Sequence, residues 1–233
     1  VNTAADVRDE TGRTRVISSG AGKLDISAAV QTPVTAEPAT LSFGVLAPAA
    51  LPVSLALRIA NADANPVSLR LGASGPRDSP AQVRVSQPDL DLGPGEAATV
   101  TVQLTGEIPQ PGSYEGYVHI EGGPVPLRVP YLYLVTDGKP DTYFYLYGSR
   151  DVNSRNDVKI EFRVTDRYGV PVPGLEVTFR VTGGNGAITV ADATTDVVGK
   201  AAAIVNLGSQ GGDEFTAEVK DFDRIRFRLT YVQ

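Results

Sequence analysis

The chain has no cysteine, no methionine and no tryptophan, and its 233 residues include a single histidine. Without cysteine there is no disulfide framework, no thiolate zinc or iron–sulfur site and no cysteine nucleophile. One histidine rules out any multi-histidine metal site. Without methionine the chain does not begin at an initiation codon, so it is expected to be a processed product or a part of a longer polypeptide. No apolar run approaches the ~18 residues of a membrane span. Basic residues are outnumbered, 21 against 27 acidic, for a net charge of −6. Residues 1–136 hold 9 basic and 13 acidic side chains, and residues 137–233 hold 12 and 14. Neither half carries the electrostatic footprint of phosphate-backbone binding, so no nucleic-acid partner is expected.

Glycine and proline are abundant, 24 and 17, while 42% of residues are hydrophobic. That combination describes many turns around a packed interior rather than disorder. Residues 1–35 stand apart. Asp6 to Arg15 is charged and reads as a loop, and Ser18 to Gly22 reads as a tight turn. Lys23 to Val30 reads as a short helix with Asp25 or Ser27 near its start. Pro33 and Pro38 mark a boundary.

From Thr40 the apolar residues recur every second position, the signature of half-buried strands. In 53–60, Val53, Leu55, Leu57 and Ile59 alternate with polar or small residues, and in 99–104 Val100, Val102 and Leu104 do so. Residues 67–71, 82–86, 114–121 and 125–134 supply further strands, separated by Gly/Pro/Asn/Asp turns. This describes one β-sandwich. Asp137-Gly138-Lys139-Pro140 reads as a linker. A second series follows, with Val158, Ile160, Phe162 and Val164, then Leu175, Val177, Phe179 and Val181, then Ile225, Phe227, Leu229 and Tyr231 facing inward. The expected fold is all-β, two consecutive antiparallel β-sandwiches preceded by a segment with one small helix. The expected divisions are 1–35, 36–136 and 137–233.

No catalytic, cofactor-binding or metal-binding residue is assigned, and no cofactor is expected. His119 lies in Gly116-Tyr117-Val118-His119-Ile120, where alternation puts Tyr117, His119 and Glu121 on the solvent face, and no Gly-x-Ser-x-Gly elbow accompanies it. Asp151 to Asp157 lacks the central Gly and terminal Glu of a calcium loop and reads as a turn, as do Asp213-Glu214 and Lys220 to Arg224. Gly183-Gly184-Asn185-Gly186 has no Lys-Ser/Thr after it, so it reads as a strand connection rather than a phosphate loop. Arg224, Arg226 and Arg228 form a one-sided stripe that either meets a partner or pairs with acidic neighbours. Tyr131, Tyr133, Tyr143, Tyr145 and Tyr147 form a ligand patch or pack between the sandwiches.

Three segments carry a resemblance. Asn2-Thr3-Ala4-Ala5 followed by Ser19-Gly20-Ala21-Gly22-Lys23-Leu24-Asp25-Ile26-Ser27-Ala28-Ala29-Val30 resembles the end of a subtilisin-like (subtilase) catalytic domain. Pro38 to Gly44, Leu92 to Val102 and Tyr114 to Tyr131 are similar to the fibronectin type III-like module that follows some subtilase domains. Thr165-Asp166-Arg167-Tyr168-Gly169 through Phe179, with Thr195-Asp196-Val197-Val198-Gly199-Lys200-Ala201, resembles a bacterial Ig-like module of the invasin/intimin type. The resemblance implies the carboxyl end of a secreted serine protease, with residues 1–35 as a remnant of its catalytic domain. It implies that domain of the same polypeptide as partner, and a protein substrate or surface component as a second one. The family's Gly-Thr-Ser-Met-Ala, Asp-Gly and His-Gly-Thr segments are missing, so no triad residue is carried over and the chain itself is expected not to be an enzyme. An Ig-like adhesion module or a carbohydrate-binding sandwich without a protease is the alternative.

Overall fold

The computed structural model describes residues 2–10, 12–47, 50–148, 150–209 and 212–232, without the side chains of Asp9 and Arg13. It is nearly all β, as the period-two pattern requires, and divides into two compact units, Val1–Val135 and Thr136–Gln233.

The first unit opens with a hairpin of β1 (Arg8–Asp9) and β2 (Gly12–Arg13), then α1 (Val16–Ser19) and α2 (Ile26–Gln31). The strands β3 (Val34–Glu37), β4 (Leu41–Val45), β5 (Val53–Asn61), β6 (Val67–Ser74), β7 (Ala81–Val85), β8 (Asp89–Leu92), β9 (Ala97–Gly106), β10 (Gly112–Glu121) and β11 (Leu127–Val135) follow. They form two sheets, β3-β5-β9-β7 and β4-β11-β10-β6-β8. Leu57, Ile59, Val102, Leu104, Val118 and Val129 lie fully buried between them. Each such side chain contributes roughly 1.5–3 kcal/mol.

The second unit contains β12 (Thr142–Tyr147), β13 (Asp151–Val152), β14 (Val158–Thr165), β15 (Val177–Gly183), β16 (Ala187–Ala191), β17 (Lys200–Asn206), β18 (Gly212–Val219) and β19 (Arg224–Tyr231). Its sheets are β12-β14-β17-β16 and β13-β19-β18-β15. Ile160, Phe162, Phe215, Ile225, Phe227 and Leu229 fill the space between.

Both units begin with one topological device. The first strand pairs antiparallel in one sheet (β3 with β5, β12 with β14), then the chain crosses and runs parallel to the last strand of the other (β4 with β11, β13 with β19). In the second unit the crossing occurs at Gly148. Its φ is +113°, and a Cβ there would stand 2.7 Å from the Phe227 ring, so only glycine fits.

Four local expectations are corrected. The segment before the first sandwich has two short helices rather than one. Val-Ile-Ser-Ser is a poor helix former, but the Glu115 carboxylate of β10 accepts from the amides of Val16 (2.8 Å) and Ile17 (3.2 Å) and imposes the turn. Within the stretch expected to be a loop, Arg8 and Asp9 pair with Arg13 and Gly12. The helix expected at 23–30 begins at Ile26, because Asp25 is its cap and accepts from the Ala28 amide at 2.9 Å. Finally, Pro33 and Pro38 flank a strand, so the expected boundary between residues 35 and 36 falls inside β3.

Candidate functional site

On β10, Val118 and Ile120 point into the core as alternation demands, yet Tyr117 is buried too, contrary to its expected solvent position. The outer face of β10 and β11 is partly covered by the segment that precedes the sandwich. Arg128 of β11 is the centre of that contact. Its guanidinium pairs with Asp6, donates to the Ala21 carbonyl at 3.0 Å and lies 5.0 Å over the Tyr117 ring. Its backbone amide donates to Asn2, whose side-chain amide reaches the carbonyls of Ala39 and Arg128. At the other end, Arg15 reaches Ser113 Oγ at 2.7 Å and Glu115 at 3.4 Å. Burial pulls the Arg128 guanidinium below its ordinary value, and its Nε is buried with no acceptor. The clasp therefore rests on the Asp6 pair and the Ala21 carbonyl. Arg128→Ala is expected to loosen residues 5–8 and 21–25 from the sheet, with residues 15–17 still held by Ser113 and Glu115, while the sandwich stays folded. Trypsin cleavage at Arg8 and Lys23 should rise by about tenfold, with little change in the main unfolding transition; unchanged cleavage would refute the clasp.

A groove of about 560 Å³ runs along this contact, lined by Asp6, Asp25, His119, Pro126, Leu127 and Arg128 among others. His119 Nε2 lies 2.7 Å from Ser74 Oγ. Sequence could not pair them, because they are 45 residues apart and meet only through the β6–β10 register, which sets Gly72 opposite His119 and Ser74 opposite Tyr117. Gly72 has no side chain to fill the space between. The pair is poorly placed for nucleophilic chemistry. Ser74 sits at the end of a regular strand rather than on a strained elbow. Ser74→Ala is expected to remove one cross-strand hydrogen bond, about 1 kcal/mol, read as a small fall in the first unit's unfolding midpoint.

The stretches of the second unit singled out in the sequence are locally satisfied. Asp151 and Val152 pair with Thr230 and Tyr231, and Ser154 closes the following turn onto the Asn156 carbonyl. The Lys220–Arg224 stretch is the β18–β19 turn, with Lys220 on Glu176 at 3.0 Å and Asp223 accepting from the Arg224 amide. Among the described residues no group of three or more His, Cys, Asp or Glu is placed to hold a metal ion. Arg224 pairs with Glu218 at 3.6 Å and Arg228 with Glu214 at 2.9 Å, while Arg226 lies opposite Thr216. The Arg228 hydrogen bond holds the Glu214 carboxyl below its ordinary value. Glu161, on the opposite face of β14 from Ile160 and Phe162, is only 7% exposed and pairs with Lys159 at 3.2 Å.

The tyrosines do not form one patch. Tyr131 and Tyr133 belong to the core of the first unit, where burial raises both phenols. In the second unit Tyr145 donates to the Arg226 carbonyl at 3.0 Å and packs edge-on against Phe227, and Tyr143 packs against Phe222. Phe144 and Tyr147 remain exposed on β12.

Sequence reading missed three devices. Tyr114, at the start of β10, donates to the Gln110 carbonyl four residues upstream at 2.7 Å, the tyrosine corner of sandwich folds. Asp213, 2% exposed, accepts from the amides of Asn185 and Gly186 on Oδ1 and of Gly208 on Oδ2, so the glycine-rich connection is anchored by a buried carboxylate. Thr-Asp-x-x-Gly occurs twice, at Thr165–Gly169 and Thr195–Gly199. Each aspartate Oδ1 accepts from the amides two and four residues on, and each glycine has positive φ and donates to the aspartate carbonyl. That repeat was visible in the sequence as spacing alone.

No family model matches the sequence, and no curated protein matches it. Solved structures do. CBD12 from CALX1.2 superposes with a TM-score of 0.50 at 8% identity, over 79% of this chain and 79% of that one. The D0-D1 domain of intimin gives 0.30 at 18% identity, over 86% and 97%. InvD of Yersinia pseudotuberculosis gives 0.36 at 16% identity, over 87% and 58%. At such identities the likeness concerns fold, and the neighbours are Ig-like and fibronectin-like β-sandwich proteins.

Proposed function

We propose that this chain is the noncatalytic carboxyl-terminal accessory region of a secreted subtilisin-like serine endopeptidase, in which the sandwiches space or stabilise the protease or dock its protein substrate or a surface. The observation that carries this reading is the orientation of residues 16–30. Their polar groups meet the sandwich through Glu115 and Arg128. Their apolar side chains turn away. Ile17, Leu24, Ile26 and Val30 are 50%, 68%, 67% and 81% exposed, and α2 buries no residue. A six-residue helix has no stability of its own, and apolar side chains gain nothing by facing water. Such a segment fits the edge of another folded body. The resemblance of Ser19–Val30 to the end of a subtilase domain supports reading that body as the protease.

The test has two arms. The coding sequence upstream of Val1 should contain a Gly-Thr-Ser-Met-Ala segment within a few tens of residues; a membrane barrel or further Ig-like repeats there would overturn the protease reading in favour of adhesion. The chain itself should hydrolyse no peptide. Turnover that copurifies with it, is blocked by a serine reagent and disappears in Ser74→Ala would overturn the noncatalytic assignment.

The adhesion reading draws its support from the second unit, whose strand β12 presents aromatic side chains at a sheet edge. A glycan site built on Tyr143 and Tyr145 has less support, because the Tyr145 hydroxyl is already bound to the Arg226 carbonyl.

A further inference from the structure

We propose that the outer face of β12-β14-β17 binds an acidic polysaccharide, with a uronate carboxylate between Arg163 and Lys200 and a sugar ring against Phe144. Phe162 and Ala201 are fully buried, so their neighbours Arg163 and Lys200 point away from the core. The register places Phe144, Arg163 and Lys200 in one row across three adjacent strands, roughly 4.8 Å from one strand to the next. Tyr147 lies on the same face, opposite Glu161.

Two cations directly opposite each other are unfavourable in a sheet. The other sheet of this unit shows the ordinary remedy, because Arg224 and Arg228 stand opposite Glu218 and Glu214 and pair with them. Arg163 instead has Lys200 on one side and Phe144 on the other. Its Nε donates to the Val198 carbonyl at 2.8 Å, and among the described residues neither cation pairs with a carboxylate. Asp196 Oδ1 accepts from the Lys200 amide, not from the ammonium. One row further, Lys159 is already engaged, on Glu161 at 3.2 Å and over the Tyr147 ring at 4.8 Å. The uncompensated charge is therefore confined to Arg163 and Lys200. Beside it the face is aromatic where the outer face of an antiparallel sheet is ordinarily polar, with Phe144 and Tyr147 52% and 58% exposed.

These two features define the occupant. The terminal nitrogens of a guanidinium donate side by side to the two oxygens of a carboxylate, and the Lys200 ammonium adds a donor from the next strand. The face of an exposed aromatic ring is electron-rich and accepts the C–H groups of a sugar ring. A uronic acid carries the carboxylate and the C–H face on one ring. β14 and β17 are inner strands, bonded on both sides, so a peptide cannot join them as a further strand and every contact comes from side chains. The chain as a whole is at −6 and repels polyanions, which confines binding to this row. The site lies wholly within the second unit and does not depend on the protease reading.

Calorimetric titration of the full chain with an oligogalacturonate at low salt should give a Kd of about 0.1–1 mM, in keeping with a shallow, exposed site. The methyl-esterified oligomer keeps the rings and loses the charge, and should bind roughly tenfold more weakly or worse. Phe144→Ala, an exposed truncation, should weaken binding by about fivefold. Lys200→Glu supplies the carboxylate that Arg163 lacks, so it should leave the unit at least as stable to heat while abolishing binding. Equal affinity for the ester overturns the proposal, as does binding that survives Lys200→Glu in a chain that circular dichroism shows folded. Oligoglutamate bound as tightly as the oligogalacturonate would show attraction by charge alone and equally overturn it, as would a wild type that binds no oligogalacturonate at about 10 mM, well above the expected Kd.

Discussion

Replacing Asp166 with alanine is expected to destabilise the second unit by roughly 3–5 kcal/mol, the cost of stranding several buried or half-buried donors at 1–3 kcal/mol each. Asp166 is 1% exposed. Its Oδ1 accepts from the amides of Tyr168 and Val170, and its Oδ2 from the Thr136 hydroxyl at 2.8 Å and the Asp137 amide at 3.2 Å. One carboxylate therefore closes the turn after β14 and ties down the strand entry at residues 136–137. Asp196 provides an internal control. It makes the same two Oδ1 contacts in the same Thr-Asp-x-x-Gly frame but is exposed. Water can replace it, so Asp196→Ala should cost only about 1–2 kcal/mol. Chemical denaturation followed by circular dichroism measures both. Equal losses would show that local turn geometry, rather than burial, sets the cost.

Gly116→Ala is expected to destabilise the first unit by about 3 kcal/mol, the upper end of overpacking costs. Gly116 lies in β10, and a Cβ there would enter the Ser74 carbonyl and approach the Tyr131 hydroxyl to 2.5 Å. Gly75 makes room for the same hydroxyl. Two glycines on separate segments thus form the socket for one buried phenol, which burial holds well above its ordinary pKa. Tyr131→Phe should relieve only the hydroxyl's share of the clash, because the ring Cζ, which Phe keeps, stands 2.6 Å from the added Cβ. The double variant G116A/Y131F is expected to lose about 1 kcal/mol less than the sum of its single losses. The Ser74 carbonyl is backbone and cannot yield, so the rescue should be incomplete. Strict additivity in thermal denaturation would show that Tyr131 is not the neighbour that matters.

What was legible in the sequence was whatever is decided within a few residues. Alternation along 53–60, 99–104, 158–164 and 224–231 fixed which side chains face a core, because successive Cβ atoms of a strand point to opposite faces whatever lies beside it. Gly184 announced a strand connection because its backbone angles are local. Asp25 announced a helix start for the same reason. Strand partners are a different matter. The two units share a chain-crossing first strand, yet their sequences share only a period, since backbone pairing carries no side-chain signature.

Three of the contacts that correct the sequence reading are long-range. Glu115 makes a helix of Val16–Ser19, the Arg128 guanidinium lies over Tyr117 while it holds Asp6 and Ala21, and Ser74 meets His119 across a register. A solvent face read from alternation stays solvent only if no other segment lies on it, and that depends on where residues 2–25 dock. Composition and period alone determined that this chain is a pair of antiparallel sandwiches with no cysteine or multi-histidine chemistry. Only the tertiary structure decided which outer face is covered, which buried carboxylates hold the loops, and which two cations face each other across strands. These follow from pairings between residues tens of positions apart, whose free energy no local pattern encodes.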